Sequence, residues 1–525
     1  MLIFVIMSES ISNNKRIAKN TLYLYFRMIL ILLVTLYTSR VVLAELGVTD
    51  YGIYNVVGGV VMMFSFVNSS MATATQRFLT FELGKGDFKK LSRTFAASLN
   101  IHIFLGLIIL IMAETVGLWF VNEKLVIPPE RMLAANIVFQ CSILSFFISI
   151  TQVPYSASLI AHEKMDVYAY MSIIEAAGKL IVAYSLSLYG SDKLIFYAFI
   201  ILLLHILLLM GYRTYCYRQY KESRFSLFWN KALYKSLTSF AGWNLFGSIA
   251  WLCRSQGLNI ILNLFYGPAL NAAKGIADRV SSAVKGFIHN FNLAMNPQIT
   301  KNYAAGNKDS MESLCYRGTK FAFLLLFVIA FPVMVNIDFI LNLWLVKVPD
   351  YSAGFVVLVL IDALIDIVLG TSQFITALMA TGKIRNYQIV VGLIIMLVLP
   401  IGYILLQFGY GPYSIVYAMI GVSILSGLTR IIFCRYQLAF SLRRFMKSVL
   451  VPSVLTVVCS VPFPLYLRNS VLSGDSLAVF LSNCFVSLLS VSVCSWFIAL
   501  NKGERVVLSQ VIQSKLKRFK HGKGM

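Results

Sequence analysis

The sequence predicts an all-α polytopic membrane protein. About fourteen transmembrane helices form two parallel-related six-helix lobes around a central cavity, with two extra C-terminal helices. Three observations predict this class. The first is composition: of 525 residues, 58% are hydrophobic and only 13% charged, against roughly 25% charged in an ordinary soluble protein. Apolar runs of about twenty residues recur from end to end, each long enough to span a hydrocarbon core of roughly 30 Å. The alternation expected of lipid-facing barrel strands is absent. The second observation is the distribution of charge among the connections, and the third is an internal duplication.

Taken in order, the spans fall at 20–44, 52–79, 95–121, 132–160, 167–189, 194–213, 238–265, 268–296, 319–346, 352–380, 387–408, 412–434, 447–467 and 476–500. The net charge is +23, and most of that excess is loop bias. One set of connections holds Lys15, Arg16 and Lys19; Lys85, Lys89, Lys90 and Arg93; Lys164; and the basic stretch from Arg213 to Lys235. It continues with Lys301, Lys308, Arg317 and Lys320; Lys383 and Arg385; Arg435, Arg443, Arg444 and Lys447; and the Lys/Arg-rich tail. The opposite set has only Lys124, Arg131, Lys193, Lys347 and Arg468. Basic loops stay on the cytoplasmic side. Both termini are therefore cytoplasmic, which requires an even number of spans.

The duplication shows in three places. Gln76, Gly84 and Asp87 recur as Gln298, Gly306 and Asp309, an offset of 222. Leu118-Trp119-Phe120-Val121 recurs as Leu343-Trp344-Leu345-Val346, an offset of 225. Leu159, Ala161, Lys164 and Tyr168 recur as Leu378, Ala380, Lys383 and Tyr387, an offset of 219. The offset equals six spans, so the two halves share one orientation and a pseudo-two-fold axis lies along the membrane normal. The organisation follows: a cytoplasmic N-terminus at 1–19, an N-lobe at 20–213, a cytoplasmic linker at 214–237, a C-lobe at 238–434, spans 13 and 14 at 447–500 and a basic cytoplasmic tail at 501–525. The start MLIFVIM is too short for a signal sequence, so the first span reads as an uncleaved insertion signal, with Met1 and Met7 both open as starts.

Charges inside spans carry the functional argument, because a charge at mid-bilayer costs several kcal/mol and must look into a bundle or a wet cavity. Span 8 is the most polar. Lys274, Asp278, Ser281, Lys285 and His289 are spaced 4, 3, 4 and 4 apart, so they share one helical face, and Arg279 lies beside it. This face is expected to be the polar wall of a transport cavity. Span 1 holds Arg27 and Arg40, each near enough to an interface for snorkelling to be the competing reading, as it is for Arg77 at the end of span 2. Span 7 holds Arg254, which like Lys285 has no partner one turn away; these two are the leading candidates for substrate contact.

Glu175 and Lys179 form an i,i+4 pair in span 5 that reads equally well as a neutral structural pair; Lys274 with Asp278 is also such a pair, with a structural role as the lesser alternative. Asp362 and Asp366 sit one turn apart in span 10. Two such carboxylates repel, which suits a proton or cation site; pairing with a cation from another helix is the alternative. Ion-coupling candidates are thus Asp362, Asp366, Asp278 and Glu175. His102 and His205 read as packed core residues, and Trp119 and Trp344 as interfacial anchors.

Other functions are disfavoured. The eight cysteines have no metal spacing and most lie in apolar segments, so neither a zinc site nor a disulfide framework is expected. There is no P-loop pattern and no HExxH, no basic soluble domain for nucleic acid, and no large loop with acidic active-site groups. An enzyme is not expected, and no cofactor.

The 6+6+2 layout and the opening segment carry a resemblance. NNKRIAKNTLYLYFRMILILLVTLYTSRVVLAELGVTDYGIYNVVGGVV, with a basic entry to span 1 and a Leu46-Gly47-x-x-x-Tyr51-Gly52 turn into span 2, resembles the opening of Wzx-type O-antigen and capsule flippases. ATQRFLTFELGKGDFKKLSRTF is similar to the stretch after span 2 in the same proteins. They form the polysaccharide-transporter branch of the multidrug/oligosaccharidyl-lipid/polysaccharide flippase superfamily. The resemblance implies a multi-pass protein of the bacterial inner membrane that flips an undecaprenyl-diphosphate-linked oligosaccharide by alternating access. It serves O-antigen (lipopolysaccharide), capsule or exopolysaccharide synthesis. Implied partners are the lipid-linked oligosaccharide, H+ or Na+ as coupling ion, and polysaccharide polymerase or chain-length machinery.

By position and chemistry, Arg27, Arg40, Arg254, Lys274, Arg279, Lys285 and His289 would replace the hydration of the diphosphate. Two alternatives stand. An ion-coupled multidrug antiporter of the same superfamily would want an acidic cavity, whereas spans 1, 2, 7 and 8 hold seven Lys/Arg against Asp278 alone. A non-transporting envelope-assembly scaffold would need no polar axial face.

Overall fold

Helix accounts for nearly all of the chain in the computed structural model, which describes residues 2–506 and 509 except 63, 124, 126, 225, 227, 267, 346, 347, 371, 471–473 and 475. Among the described residues there is no strand. The protein is all-α and polytopic, as its composition requires. The basic side chains Lys15, Arg16, Lys124 and Lys347, and the tail beyond 509, lie outside the described side chains.

Eleven of the described helices are long and apolar enough to cross a membrane. Three further helices occupy the positions of spans 2, 7 and 8: Ser65–Lys85, the run Lys231–Leu252 to Leu258–Tyr266, and Pro268–Ala304. They fall short on apolarity, not on length. These are the helices in which the sequence concentrates Ser, Asn and Lys/Arg, which a membrane tolerates only where helices shelter them.

Span 1 belongs to a long helix, Leu2–Met62, broken at Gly47, where φ is 74° and ψ 170°. Only glycine occupies that region without strain, so the Leu46-Gly47 turn noted in the sequence is a backbone requirement.

The chain divides into two compact units, with boundaries at Ser248/Ile249 and Ile299/Thr300, inside two of the polar helices. The first of these boundaries lies just beyond the linker 214–237. The reason is that the first half of the Lys231–Leu252 helix packs into the N-terminal unit: Phe240 meets Phe78 edge-on, Asn244 Nδ2 donates to the Ser70 carbonyl, and Ser248 hydrogen-bonds Ser70. The linker itself is ordered around a buried Glu222, which takes His162 at 3.1 Å while Tyr220 stacks on the imidazole at 3.9 Å.

Among the described residues the N-terminal unit shows at least two apolar clusters. One is built from Val42, Val57, Val138, Phe139 and Leu194, another from Leu79, Leu91, Phe95 and Leu159. Arg131 bridges Asp50 and Asp192 at the end of this unit, and Lys193 pairs with Glu45 at 2.8 Å. Asp192 also caps the Lys193–Gln219 helix by accepting from the amides of Leu194 and Ile195. The Arg131 guanidinium beside it holds the Asp192 carboxyl below the usual range. At another point Gly84 lies against residues 300–307, which belong to this unit, and Lys301 pairs with Glu163 at 2.9 Å.

The C-terminal unit packs helices Lys308–Val335, Ser352–Gly370 and Ser414–Leu438 around Phe327, Phe355, Leu360 and Val422. The last two spans join it: Val491 and Ala499 of span 14 enter the same core, and Val457 and Val461 of span 13 pack against it. All eight cysteines are free.

The repeat is visible at helix ends, with one change of register. Glu163 and Gly382, both at positive φ, end the helices Met132–Ala161 and Ser372–Thr381, at the offset of 219 read from the sequence. In the first motif, however, the left-handed glycine is Gly86 in the first half and Gly306 in the second. The equivalence there runs at 220, so Gly84 is not the partner of Gly306. Its own role is close approach: a Cβ at Gly84 would lie 2.7 Å from the Lys301 backbone. Gly84→Ala is expected to destabilise the purified protein by about 1–3 kcal/mol. Gly52→Ala, in a helix with open space around it, serves as control; equal melting temperatures for the two variants would contradict the contact.

Candidate functional site

The strongest polar constellation lies inside the C-terminal unit. Helix Ser352–Gly370 is otherwise apolar, and its two carboxylates, Asp362 and Asp366, stand on one face together with Leu369. Helix Ser414–Leu438 presents Ser423, Gly427 and Arg430 at helical spacing. Gly427 lets the two helices meet backbone to backbone: a Cβ there would lie 2.6 Å from Leu369 Cβ and 3.0 Å from its carbonyl carbon. Larger residues at 427 would push Ser423 and Arg430 away from the carboxylates.

The third contributor is Arg254, on a π-helical turn, Cys253–Gly257, within the polar run of span 7. Such a turn adds a residue and swings the side chain out of the regular helical register. Arg254 Nη2 donates to Asp362 Oδ2 at 2.7 Å and to Ser423 Oγ at 2.9 Å. Ser423 in turn donates to Asp362 Oδ1 at 2.7 Å. Both carboxylate oxygens of Asp362 are thus taken, and the pair is buried, with side-chain exposures of 6% and 2%. One turn further, Arg430 Nη1 donates to Asp366 Oδ1 at 3.0 Å. Asp366 keeps 30% exposure and also lies in the field of Arg254 and Lys285.

This arrangement changes the reading of Arg254. It does lack a partner one turn away on its own helix, but a carboxylate from another helix holds it in place. Its charge is already neutralised and it has almost no free surface, so it does not offer an open phosphate clamp in this conformation. Of the two readings open for Asp362 and Asp366, the geometry is that of pairing with cations from other helices.

The expected polar wall of span 8 is only partly open. Lys274 is 1% exposed and pairs with Asp278 at 2.8 Å. Ser281 is also buried, and its hydroxyl has no hydrogen-bond partner among the described residues. The face opens from Lys285 onward: Lys285 is half-buried, with its ammonium 5.8 Å from the Trp251 ring, and His289 is exposed. Arg279 is exposed beside it. Neither Arg279 nor Lys285 forms an ion pair among the described residues. On the first helix Arg27 stacks 4.7 Å over Tyr168 and Arg40 is exposed. Glu175 pairs with Lys179 at 2.6 Å.

Sequence reasoning missed Arg430, Ser423 and Gly427. The signal was present as a small-polar stripe, Ser423-x2-Ser426-Gly427-x2-Arg430, inside an apolar helix, a pattern that marks close helix contact in membranes.

No protein-family model matches the chain, and no curated protein matches it by sequence. Solved structures do resemble it. One is an outward-facing multidrug resistance MATE family transporter of the MOP superfamily, 14% identical with a TM-score of 0.68, covering 81% of this chain and 96% of that one. The chain has the fold of the MOP-superfamily transporters. A second neighbour is a MOP superfamily transporter from Pyrococcus furiosus, whose binding pocket is described as reversed in polarity, suggesting a different function. It is 13% identical with a TM-score of 0.68 and the same coverage. A third is MATE in the bent conformation, 13% identical with a TM-score of 0.68, again at 81% and 96%. At these identities the likeness establishes architecture and nothing about the cargo.

The buried pair gives a direct stability test. Removing either partner strands a charge in an apolar bundle and is expected to cost about 3–5 kcal/mol, whereas replacing both by apolar residues costs much less. Thermal unfolding of R254L, D362L and the double variant in detergent checks this; additive losses in the double variant would mean the two groups do not act as a pair.

Proposed function

We propose that the protein is an alternating-access transporter of the bacterial inner membrane that flips an undecaprenyl-diphosphate-linked oligosaccharide for O-antigen, capsule or exopolysaccharide synthesis. One observation carries this reading. After the ion pairs are cancelled, Arg254 by Asp362 and Lys274 by Asp278, the polar helices of spans 7 and 8 keep Arg279 and Lys285 without an ion pair among the described residues, and His289 beside them. The residual charge is cationic, and a diphosphate needs cations to replace its hydration. Arg27 and Arg40 add to the same sign. The Pyrococcus neighbour supports the idea that this fold carries pockets of opposite polarity. The family resemblance of the opening segment supplies the class of cargo.

The substrate-contact role thus leaves Arg254, stays with Lys285 and extends to Arg279, with Arg254 acting by holding its helix against those that carry Asp362 and Ser423. Asp366, the more exposed of the two carboxylates, is the better candidate for a coupling H+ or Na+.

A second reading, a multidrug antiporter, is favoured by the likeness to a multidrug resistance MATE family transporter. It needs unpaired carboxylates for cationic cargo, and Asp362 and Asp366 each already hold an arginine.

The test is complementation. In a host whose own flippase gene is deleted, R279A/K285A is expected to reduce surface polysaccharide on the order of tenfold or more, with unchanged amounts of protein in the membrane and unchanged drug susceptibility. Full complementation by the double variant would remove Arg279 and Lys285 from substrate contact; failure of the wild-type chain to restore polysaccharide, together with a drug-sensitive phenotype on its loss, would overturn the proposal in favour of the second reading. A separate assay in vesicles checks coupling: D366N is expected to make flipping insensitive to an imposed ion gradient, and an unchanged gradient response would remove Asp366 from that role.

A further inference from the structure

The C-terminal unit contains a second polar site, distant in sequence from the one above. A cavity of about 110 Å³ opens where three chain segments meet. Helix Lys308–Val335 contributes Ser313, Arg317 and Lys320, which share one face at spacings of 4 and 3. The segment Leu442–Leu450 contributes Arg444 and Ser448, again one turn apart. The residues after the last span contribute Asn501 and Glu504. All three segments belong to the set of basic connections that the charge pattern assigns to one side of the membrane.

The walls are built and fixed. Lys320 is 4% exposed; its ammonium donates to Glu504 Oε2 at 2.7 Å and to the Ala499 carbonyl at 2.9 Å. Asn501 and Glu504 cap one another reciprocally, each backbone amide donating to the other's side chain at 2.9 Å. Tyr316 donates to the Ser441 carbonyl at 3.1 Å, and the Arg444 guanidinium lies 4.9 Å over its ring. Two cations remain available. Arg317 is exposed and without an ion pair among the described residues. Arg444 reaches Glu312 only at 3.6 Å and keeps half its side chain exposed. On the acceptor side, Glu504 Oε1 is buried and has no hydrogen-bond partner among the described residues, which leaves one position in the wall that calls for a donor.

We infer that this cavity binds a phosphate group, held by Arg317, Arg444 and the Ser313 and Ser448 hydroxyls, whose carrier places an ammonium or hydroxyl donor against Glu504. Two guanidiniums and two hydroxyls match a phosphate's oxygens. A bare phosphate leaves Glu504 unsatisfied, whereas a phospholipid headgroup such as phosphoethanolamine or phosphoglycerol satisfies both ends. The rim favours the lipid: Leu442, Met446 and Phe497 expose 40%, 39% and 67% of their surface around the same segments, an apolar skirt suited to acyl chains at the headgroup boundary. The site involves none of the residues assigned to cargo or coupling, so its occupant is not the transported molecule.

The experiment uses the full chain purified in detergent and examined by native mass spectrometry and thermal unfolding. The additions are phosphatidylethanolamine, phosphatidylglycerol or inorganic phosphate, each against the wild type and R317A/R444A. One retained phospholipid per chain, a raised melting temperature with lipid, and a loss of occupancy on the order of tenfold or more in the double variant are expected. The variant's melting temperature without lipid should match the wild type, since neither arginine holds the fold; if it does not, S313A/S448A gives the same readout without charge loss. Stabilisation by inorganic phosphate equal to that by lipid would assign the site to a free phosphate-bearing solute. Equal lipid retention in wild type and both variants would overturn the assignment.

Discussion

Asp362 and Asp366 sit one turn apart on a helix that has no other charge, in a bundle whose surroundings are Val, Leu, Ile and Phe. An isolated pair of carboxylates there would be prohibitively costly. The C-terminal unit is arranged around meeting that cost. Gly427 removes a side chain so that two helices come into backbone contact, Ser423 supplies a hydroxyl, Arg430 answers Asp366, and a π-helical turn brings Arg254 to Asp362. Each of these features would be a defect alone: a glycine in a helix interior, an irregular turn, a charge in an apolar span. Together they close a hydrogen-bonded network in which every carboxylate has a guanidinium.

Such a network sets what can move. A buried ion pair adds little net stability over a well-packed apolar replacement, but breaking one partner away is expensive. The helices that carry Arg254, Asp362 and Arg430 are therefore held as a group. Lys320 and Glu504 play the same part for the last segment, tying it to helix Lys308–Val335 with both side chains about 5% exposed. In the N-terminal unit the corresponding ties are Arg131 with Asp50 and Asp192, and Lys301 with Glu163.

Much of this architecture was legible in the sequence, and the physical reason is the bilayer. Because every backbone polar group must be satisfied within its own helix, an apolar run of sufficient length has one outcome. The all-α class followed from that alone. The three spans that fail an apolarity criterion on their own, Ser65–Lys85, Lys231–Tyr266 and Pro268–Ala304, were recoverable because loop charge and the duplication fixed what must lie between their neighbours. Register within the repeat was less legible: Gly84 and Gly86 are two residues apart and only backbone conformation says which one ends the helix. Pairing across helices was the least legible. Lys274 with Asp278 and Glu175 with Lys179 could be read because i,i+4 spacing is local. Arg254 with Asp362 spans 108 positions and Arg430 with Asp366 spans 64, and no periodicity within one helix encodes such a contact.

The distinction between paired and unpaired charge decides what the polar helices mean. Counting charges along spans 7 and 8 gives an excess of cations, but the count alone overstates the field, because Arg254 and Lys274 spend theirs on carboxylates that sit beside them. What remains at Lys285, on the open part of the helix face, and at Arg279 beside that face is smaller and does not run along the whole length. A cargo that meets this surface is attracted over about three turns, not over the full depth of the membrane. That suits a compact anionic group such as a diphosphate whose attached lipid stays in the hydrocarbon. It does not suit a long polyanion, which would need charge to continue past Lys274. On the proposed function, the carboxylate that could meet a cation is Asp366, which keeps one oxygen free of Arg430, whereas both oxygens of Asp362 are taken. The sign of the cargo is thus set less by how many charges the helices carry than by which of them the fold has left unanswered.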